Sequence, residues 1–129
     1  VEALNESNPG DPDILKYLNL IRERAGIPQY GSAELPAPSG QAAMRAAIRQ
    51  EKHVELCFEN VRYFDTRRWK IAPQTDNGPA MGLDIDSPIP GFYNKKPFET
   101  RVFATRHYFF PIPIEDVNND FELIQNPGW

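Results

Sequence analysis

Proline placement constrains this chain more than any other feature. Thirteen prolines occur in 129 residues, and most fall between Pro28 and Pro38 or from Pro73 to Pro113. Proline lacks a backbone N–H and fixes φ, so it ends helices and is excluded from central strands. Long regular elements are therefore confined to the residues before Pro28 and to the proline-free run 39–72. Much of the remainder is expected to be extended loop.

The permitted stretches carry helical patterns. VEALNE reads as the last turns of a helix broken by Ser7-Asn8-Pro9-Gly10, so the sequence is expected to open inside an element. Asp11 suits an N-cap and Pro12 the first helical position. Ile14, Leu18, Ile21 and Ala25 then recur on one face until Gly26, with Arg22 and Arg24 complementing the helix dipole in the last turn. A second, longer amphipathic helix is expected from Ser39 through Trp69, its stripe formed by Met44, Ala47, Ile48, Val54, Cys57, Phe58 and Val61. Helices joined in this order are expected to pack antiparallel, in the manner of helical repeats.

Residues 71–96 show no sustained period and read as a long loop, a class of segment that often carries function. Beyond it, Arg101-Val102-Phe103 and His107-Tyr108-Phe109-Phe110 suit short strands or extended segments, Pro113–Val117 suits one helical turn, and FELIQNPGW ends in a turn at Asn126-Pro127-Gly128. The fold class expected is mainly α with little or no strand.

Composition removes several functions. A net charge of −4 gives no footprint for nucleic acid. The single cysteine, Cys57, allows no intrachain disulfide and no paired-thiol site, and its helical surroundings predict a buried thiol. His53 and His107 stand alone, too few for a metal site, and no phosphate-binding or nucleophile motif occurs. No cofactor is expected.

The densest chemistry lies in ENVRYFDTRRW, residues 59–69. Glu51, Glu55 and Glu59 recur at intervals of four, a spacing that places them on one helix face and can supply paired carboxylates for acid–base work. Like charges at that spacing repel, however, and Arg45, Arg49, Lys52, Arg62, Arg67 and Arg68 stand ready to pair with them. A structural clamp built from Arg49, Glu51, Glu55, Glu59, Arg62, Asp65, Arg68 and Trp69 is therefore expected, with Asp65 near Arg68, and Glu55 or Glu59 meeting Arg62 or a basic residue of another segment. Tyr63 and Trp69 suit either core anchoring or stacking on a ligand ring. In the loop, Phe92 and Tyr93 offer aromatic faces to a sugar or fold back onto the core; with Asp76 and Asn77 they form the candidate ligand-binding set.

Three segments carry a resemblance. IRQEKHVELCFENVRYFDTRRW resembles the signature helix of the SusD/RagB family of outer-membrane nutrient-binding lipoproteins, with Arg49, Glu51, Glu55, Leu56, Phe58, Glu59, Arg62, Phe64, Asp65, Arg68 and Trp69 at matching places. Lys52 replaces the usual arginine and Asn60 the usual glycine. YLNLIRERAGIP and HYFFPIPIEDVNNDFELIQNPGW resemble two further family segments, with Asp120 where proline is common and Trp129 where tyrosine is usual. The resemblance implies that residues 1–129 are the C-terminal portion of a larger SusD-like protein: a helical scaffold at 1–70 with tetratricopeptide-like helix pairs, a loop at 71–100 and an extended segment at 101–129. It further implies a non-catalytic component that binds oligosaccharide or peptide, partners a TonB-dependent SusC-like transporter and the upstream portion of the same protein, and sits on the cell-surface face of the outer membrane through an N-terminal lipid-bearing cysteine absent from this chain. A polysaccharide hydrolase using paired carboxylates and a purely structural helical module are the competing expectations.

Overall fold

The computed structural model describes all residues 1–129 and divides into two compact units, Val1–Arg62 and Tyr63–Trp129. No helix is long and apolar enough to cross a membrane.

Three helices build the first unit: α1 (Glu2–Ser7), α2 (Pro12–Arg24) and α3 (Gly40–Glu55). The Asp11 carboxylate caps α2 by accepting from the Asp13 N–H at 3.0 Å. At its other end Gly26 (φ 69°) closes α2, its N–H donating to the Glu23 carbonyl while that of Ile27 donates to Arg22. Ile14 and Leu18 of α2 and Ile48 of α3 form the buried core, joined by Leu4, Tyr30 and Met44. Each such aliphatic side chain contributes roughly 1.5–3 kcal/mol on burial.

The helix directions depart from the antiparallel expectation. Asn5 and Glu6, at the end of α1, bond to Gln41 and Arg45 near the start of α3, so those two helices are antiparallel. Arg22 and Arg24, at the end of α2, instead pair with Glu51 and Glu55 at the end of α3, so α2 and α3 run the same way. The proline-rich link makes this possible. Thirteen residues of α2 rise only about 20 Å, a distance the extended link 25–39 spans with ease.

The expected single helix 39–69 is broken. It ends at Glu55 and resumes as α4 (Val61–Arg68). Phe58 (φ 67°) and Asn60 (φ 61°) lie in the left-handed region, which a right-handed helix cannot include. Asparagine tolerates that region better than most residues, which accounts for its standing where the resembled motif has glycine. The break also dissolves the predicted stripe beyond Ile48. Val54 is 64% and Phe58 98% exposed, and Cys57 is exposed rather than buried.

The second unit contains α4 from Tyr63 onward, a short α5 (Ala72–Thr75), strands β1 (Gly78–Leu83) and β2 (Lys95–Arg101), and α6 (Ile114–Asn119), with 3-10 turns at Gly91–Tyr93 and Thr105–Tyr108. The two strands pair antiparallel with a bulge between Ala80 and Met81, correcting the reading of 71–96 as unpatterned loop. The strand signal was hidden because β1 turns its small residues inward and leaves Met81 and Leu83 about half exposed. Pro97 is tolerated because both strands of a two-stranded ribbon are edges. Of His107–Phe110, expected as a short strand or extended segment, His107 and Tyr108 instead close the 3-10 turn Thr105–Tyr108, with His107 Nδ1 accepting from the Ala104 N–H at 2.9 Å, while Phe109 is extended.

The α2–α3 ion pair supplies a test. The side chains of Arg22 and Glu51 are both nearly buried, whereas Lys16 and Asp13 are half exposed or more. Arg22→Met is expected to cost about 3–5 kcal/mol by leaving a buried carboxylate uncompensated, and Lys16→Met under about 1 kcal/mol; urea denaturation of the two variants measures the difference.

Candidate functional site

Glu51 organises the first unit. Its Oε1 accepts from the Arg22 guanidinium and from the Tyr30 hydroxyl, the latter at 2.9 Å. Arg22 Nε donates to the Pro28 carbonyl at 2.6 Å, and its guanidinium lies 4.7 Å from the Tyr30 ring centre. The Asn19 amide meets both the N–H and the carbonyl of Tyr30, at 2.9 and 3.0 Å, fixing the link to α2. Desolvation, followed by the bond to Glu51, raises the Tyr30 pKa above its ordinary value. Nearby, Glu55 pairs with Arg24 and Glu6 with Arg45, and the Arg45 hydrogen bond holds the Glu6 carboxyl below the usual carboxylate range.

Arg67 plays the corresponding part in the second unit. Its guanidinium stacks 3.4 Å from the Tyr63 ring centre and 5.3 Å from that of Phe103. Nε donates to the His107 carbonyl (3.0 Å), while Nη1 donates to the Tyr63 carbonyl (2.9 Å) and reaches Asp76 (3.4 Å). The closing segment docks through its own polar groups. Trp129 Nε1 donates to the carbonyls of Arg106 and Phe109, the Asn126 amide to that of Phe110, and the Gln125 amide satisfies both the N–H and the carbonyl of Ile112 at 2.8 Å each.

The predicted clamp residues fall into several places. Glu51 and Glu55 share a face of α3 and meet Arg22 and Arg24, while Glu59 lies past the end of that helix. Asp65, buried, accepts from Arg68 Nε at 2.9 Å, and the Arg68 guanidinium sits 4.9 Å from the Trp69 ring centre. Arg49 adds its charge to the environment of Glu6, and Arg62 is half-buried at the start of α4. Two central cations, Arg22 and Arg24, were not in the predicted set, and Arg67, counted among the cations available to pair, was not placed in the clamp. Arg67 was legible in principle, because it lies four residues after Tyr63 on one helix and so falls directly over that ring.

The four predicted ligand residues occupy two neighbourhoods. Asp76 accepts from the Thr66 and Thr75 hydroxyls at 2.7 and 2.8 Å, and Asn77 Oδ1 accepts from the Phe103 N–H at 3.1 Å, so both hold the fold together. Phe92 and Tyr93 meet edge-to-face at 5.5 Å in the β1–β2 connection, with Tyr93 66% exposed. Lys96 ties that connection shut by pairing with Asp84 (2.7 Å) and Asp86 (2.9 Å), and its hydrogen bond lowers the Asp84 pKa. No group of three His, Cys, Asp or Glu side chains is placed to share a metal ion.

The end of α4 repeats the hydrogen bonding that ends α2. The Lys70 N–H donates to the Arg67 carbonyl and the Ile71 N–H to that of Thr66, with Lys70 at φ 58° in the place glycine usually fills. A lysine there is strained by about 1 kcal/mol or more. Its ammonium lies 4.7 Å from the Tyr108 ring centre.

Arg67→Met is expected to destabilise the second unit by about 2–3 kcal/mol, and Arg67→Lys to recover little, because a point charge cannot replace the planar fork; thermal melts followed by aromatic circular dichroism test both. Because the Asp84 pKa is depressed, its ion pair contributes fully above the unfolded carboxylate value near pH 4 and fades as pH falls below it. The protection of the Asp84 N–H, which donates to Asn94, measured relative to its intrinsic exchange rate at each pH, is expected to fall through that window, and Lys96→Met to remove the pH dependence.

Comparison with known proteins gives the chain's family. A family model described as the SusD family matches residues 1–129. SusD-like protein P2 of Formosa agariphila is 34% identical over 131 residues, covering 99% of this chain and 23% of that protein. The crystal structure of a SusD-like protein from Bacteroides fragilis superposes with a TM-score of 0.77 at 27% identity, covering 99% of this chain and 23% of that one. The selenomethionine form of BT4246 gives 0.80 at 26% identity, covering 99% and 22%. The chain thus spans about a quarter of the length of these relatives. Its three signature segments are the ones that meet around Glu51 and Arg67, and with the match extending from the first residue to the last, this chain belongs to the SusD family.

Proposed function

We propose that this chain is part of a non-catalytic nutrient-binding protein that captures glycan at the outer-membrane surface and delivers it to a TonB-dependent SusC-like transporter. Family membership over residues 1–129 carries the reading. The state of the carboxylates supports its non-catalytic side. Glu6 and Asp84 are held below the usual carboxylate range by Arg45 and Lys96, whereas a general acid for glycoside cleavage needs a raised pKa. Glu51 and Asp65, the buried acidic residues, serve as acceptors for arginine.

Within this chain, Phe92 and Tyr93 are the proposed glycan contacts. Two rings set at 87° to each other present a partly exposed apolar step on which a sugar's C–H face can rest. Asp76 and Asn77 contribute by holding the start of the hairpin rather than by touching ligand. A chain spanning a quarter of its relatives holds one edge of the site, so weak binding is expected, with dissociation constants near 1 mM, or about −4 kcal/mol.

Isothermal titration against neutral oligosaccharides tests this. The Phe92→Ala/Tyr93→Ala variant is expected to lose most of the affinity, and unchanged affinity removes the pair from the site. Release of reducing sugar from the same panel would overturn the non-catalytic assignment.

A further inference from the structure

A second surface on this chain has the makings of a binding site and lies apart from Phe92 and Tyr93 in the sequence. Tyr63, Phe64, Arg68, Lys70, Tyr108 and Phe110 line an open groove of about 380 Å³ in the second unit. Its walls are aromatic: Tyr63 meets Phe64 edge-to-face at 5.2 Å and Phe110 at 5.8 Å, and Phe64 and Phe110 are 60% and 65% exposed. Its charge is of one sign. Lys70 and Arg68 are both exposed on its lining; Arg68 is held by Asp65, while the Lys70 ammonium has the Tyr108 ring as its near neighbour.

Three features point to a ligand. Aromatic faces at this spacing accept the apolar face of a sugar ring, and exposed rings on a folded surface are most useful when something covers them. The cations add a requirement that a neutral sugar does not meet, namely an anionic substituent within reach of Lys70. The third feature is the backbone of Lys70 itself. The ends of α2 and α4 share one hydrogen-bonding pattern, yet Gly26 fills the left-handed position in the first and Lys70 fills it in the second. A strained lysine kept where glycine is the relaxed choice implies that its side chain has work to do.

We propose that this groove binds an anionic saccharide, its ring resting on Phe64 and Phe110 and its carboxylate or sulfate pairing with Lys70. The proposal rests on the glycan-capture reading and narrows the substrate class to charged sugars.

Isothermal titration of the full chain with trigalacturonate, a sulfated neocarratetraose and maltotriose tests it. At least one anionic sugar is expected to bind more tightly than maltotriose, with affinity that falls as salt is raised; which of the two binds identifies the group recognised. Lys70→Gly is the informative variant because it cannot fail by misfolding for lack of a cap. It is expected to raise the melting midpoint while weakening the anionic sugar by roughly fivefold, the worth of one partly exposed charge pair. Phe64→Ala is expected to weaken the same ligand, and Phe92→Ala/Tyr93→Ala to leave it unchanged. Equal binding of neutral and anionic sugars, or unaltered anionic affinity in Lys70→Gly, overturns the proposal. Glycan capture itself survives that result wherever maltotriose binding still depends on Phe92 and Tyr93, so the two failures are distinct.

Discussion

A carboxylate sealed inside a helical unit is the constraint on which the first half of this chain depends. Glu51 is 8% exposed, and a charge so placed is tolerable only with partners in fixed positions. Arg22 and Tyr30 are those partners, and each is fixed in turn: Arg22 by the Pro28 carbonyl, Tyr30 by the Asn19 amide. The requirement reaches from α3 through α2 into the proline-rich link. A hydrophobic residue at 51 would pack against the same neighbours without specifying any of them; the carboxylate selects one register of α3 against α2 and one course for the link.

The sequence yielded the elements more readily than their relations. Asp11, Pro12 and Gly26 delimit α2 because capping is local chemistry, decided within a few residues. The direction of α3 was not legible, since nothing in a proline-rich link states whether the chain doubles back or returns. The break at Phe58 and Asn60 was masked by periodicity: apolar residues continue at helical spacing across it, and only the identity of Asn60, an asparagine where the resembled motif has glycine, hinted at left-handed backbone. The β1–β2 ribbon escaped because its alternation is inverted, small residues inward and Met81 and Leu83 outward.

The charged stretch 59–69 was legible as structure, less so in its wiring. Asp65 meets Arg68 as i,i+3 spacing suggests, but the cation that gathers the second unit is Arg67, whose partners His107 and Phe103 lie far along the chain. Such contacts cannot be read from spacing. The signature stretch reaches the closing segment by donating the Arg67 guanidinium to the His107 carbonyl, while the closing segment bonds its side-chain amides and indole to backbone groups between Arg106 and Ile112. Aromatic surface that is not used in this gathering, at Phe64 and Phe110, is left facing outward.

The side chain of Gln125 behaves as a strand of one residue, giving Ile112 both the donor and the acceptor that a neighbouring backbone would provide. A primary amide carries a fixed donor and a fixed acceptor side by side at one tip, as a peptide unit does. Hydrolytic ageing of that amide to glutamate would set a carboxylate oxygen against the Ile112 carbonyl, turning an attraction into a repulsion while adding a single atomic mass unit. The attachment of the closing segment at this point therefore depends on the neutrality of one amide, a difference of one NH2 group against one oxygen at a single side-chain tip.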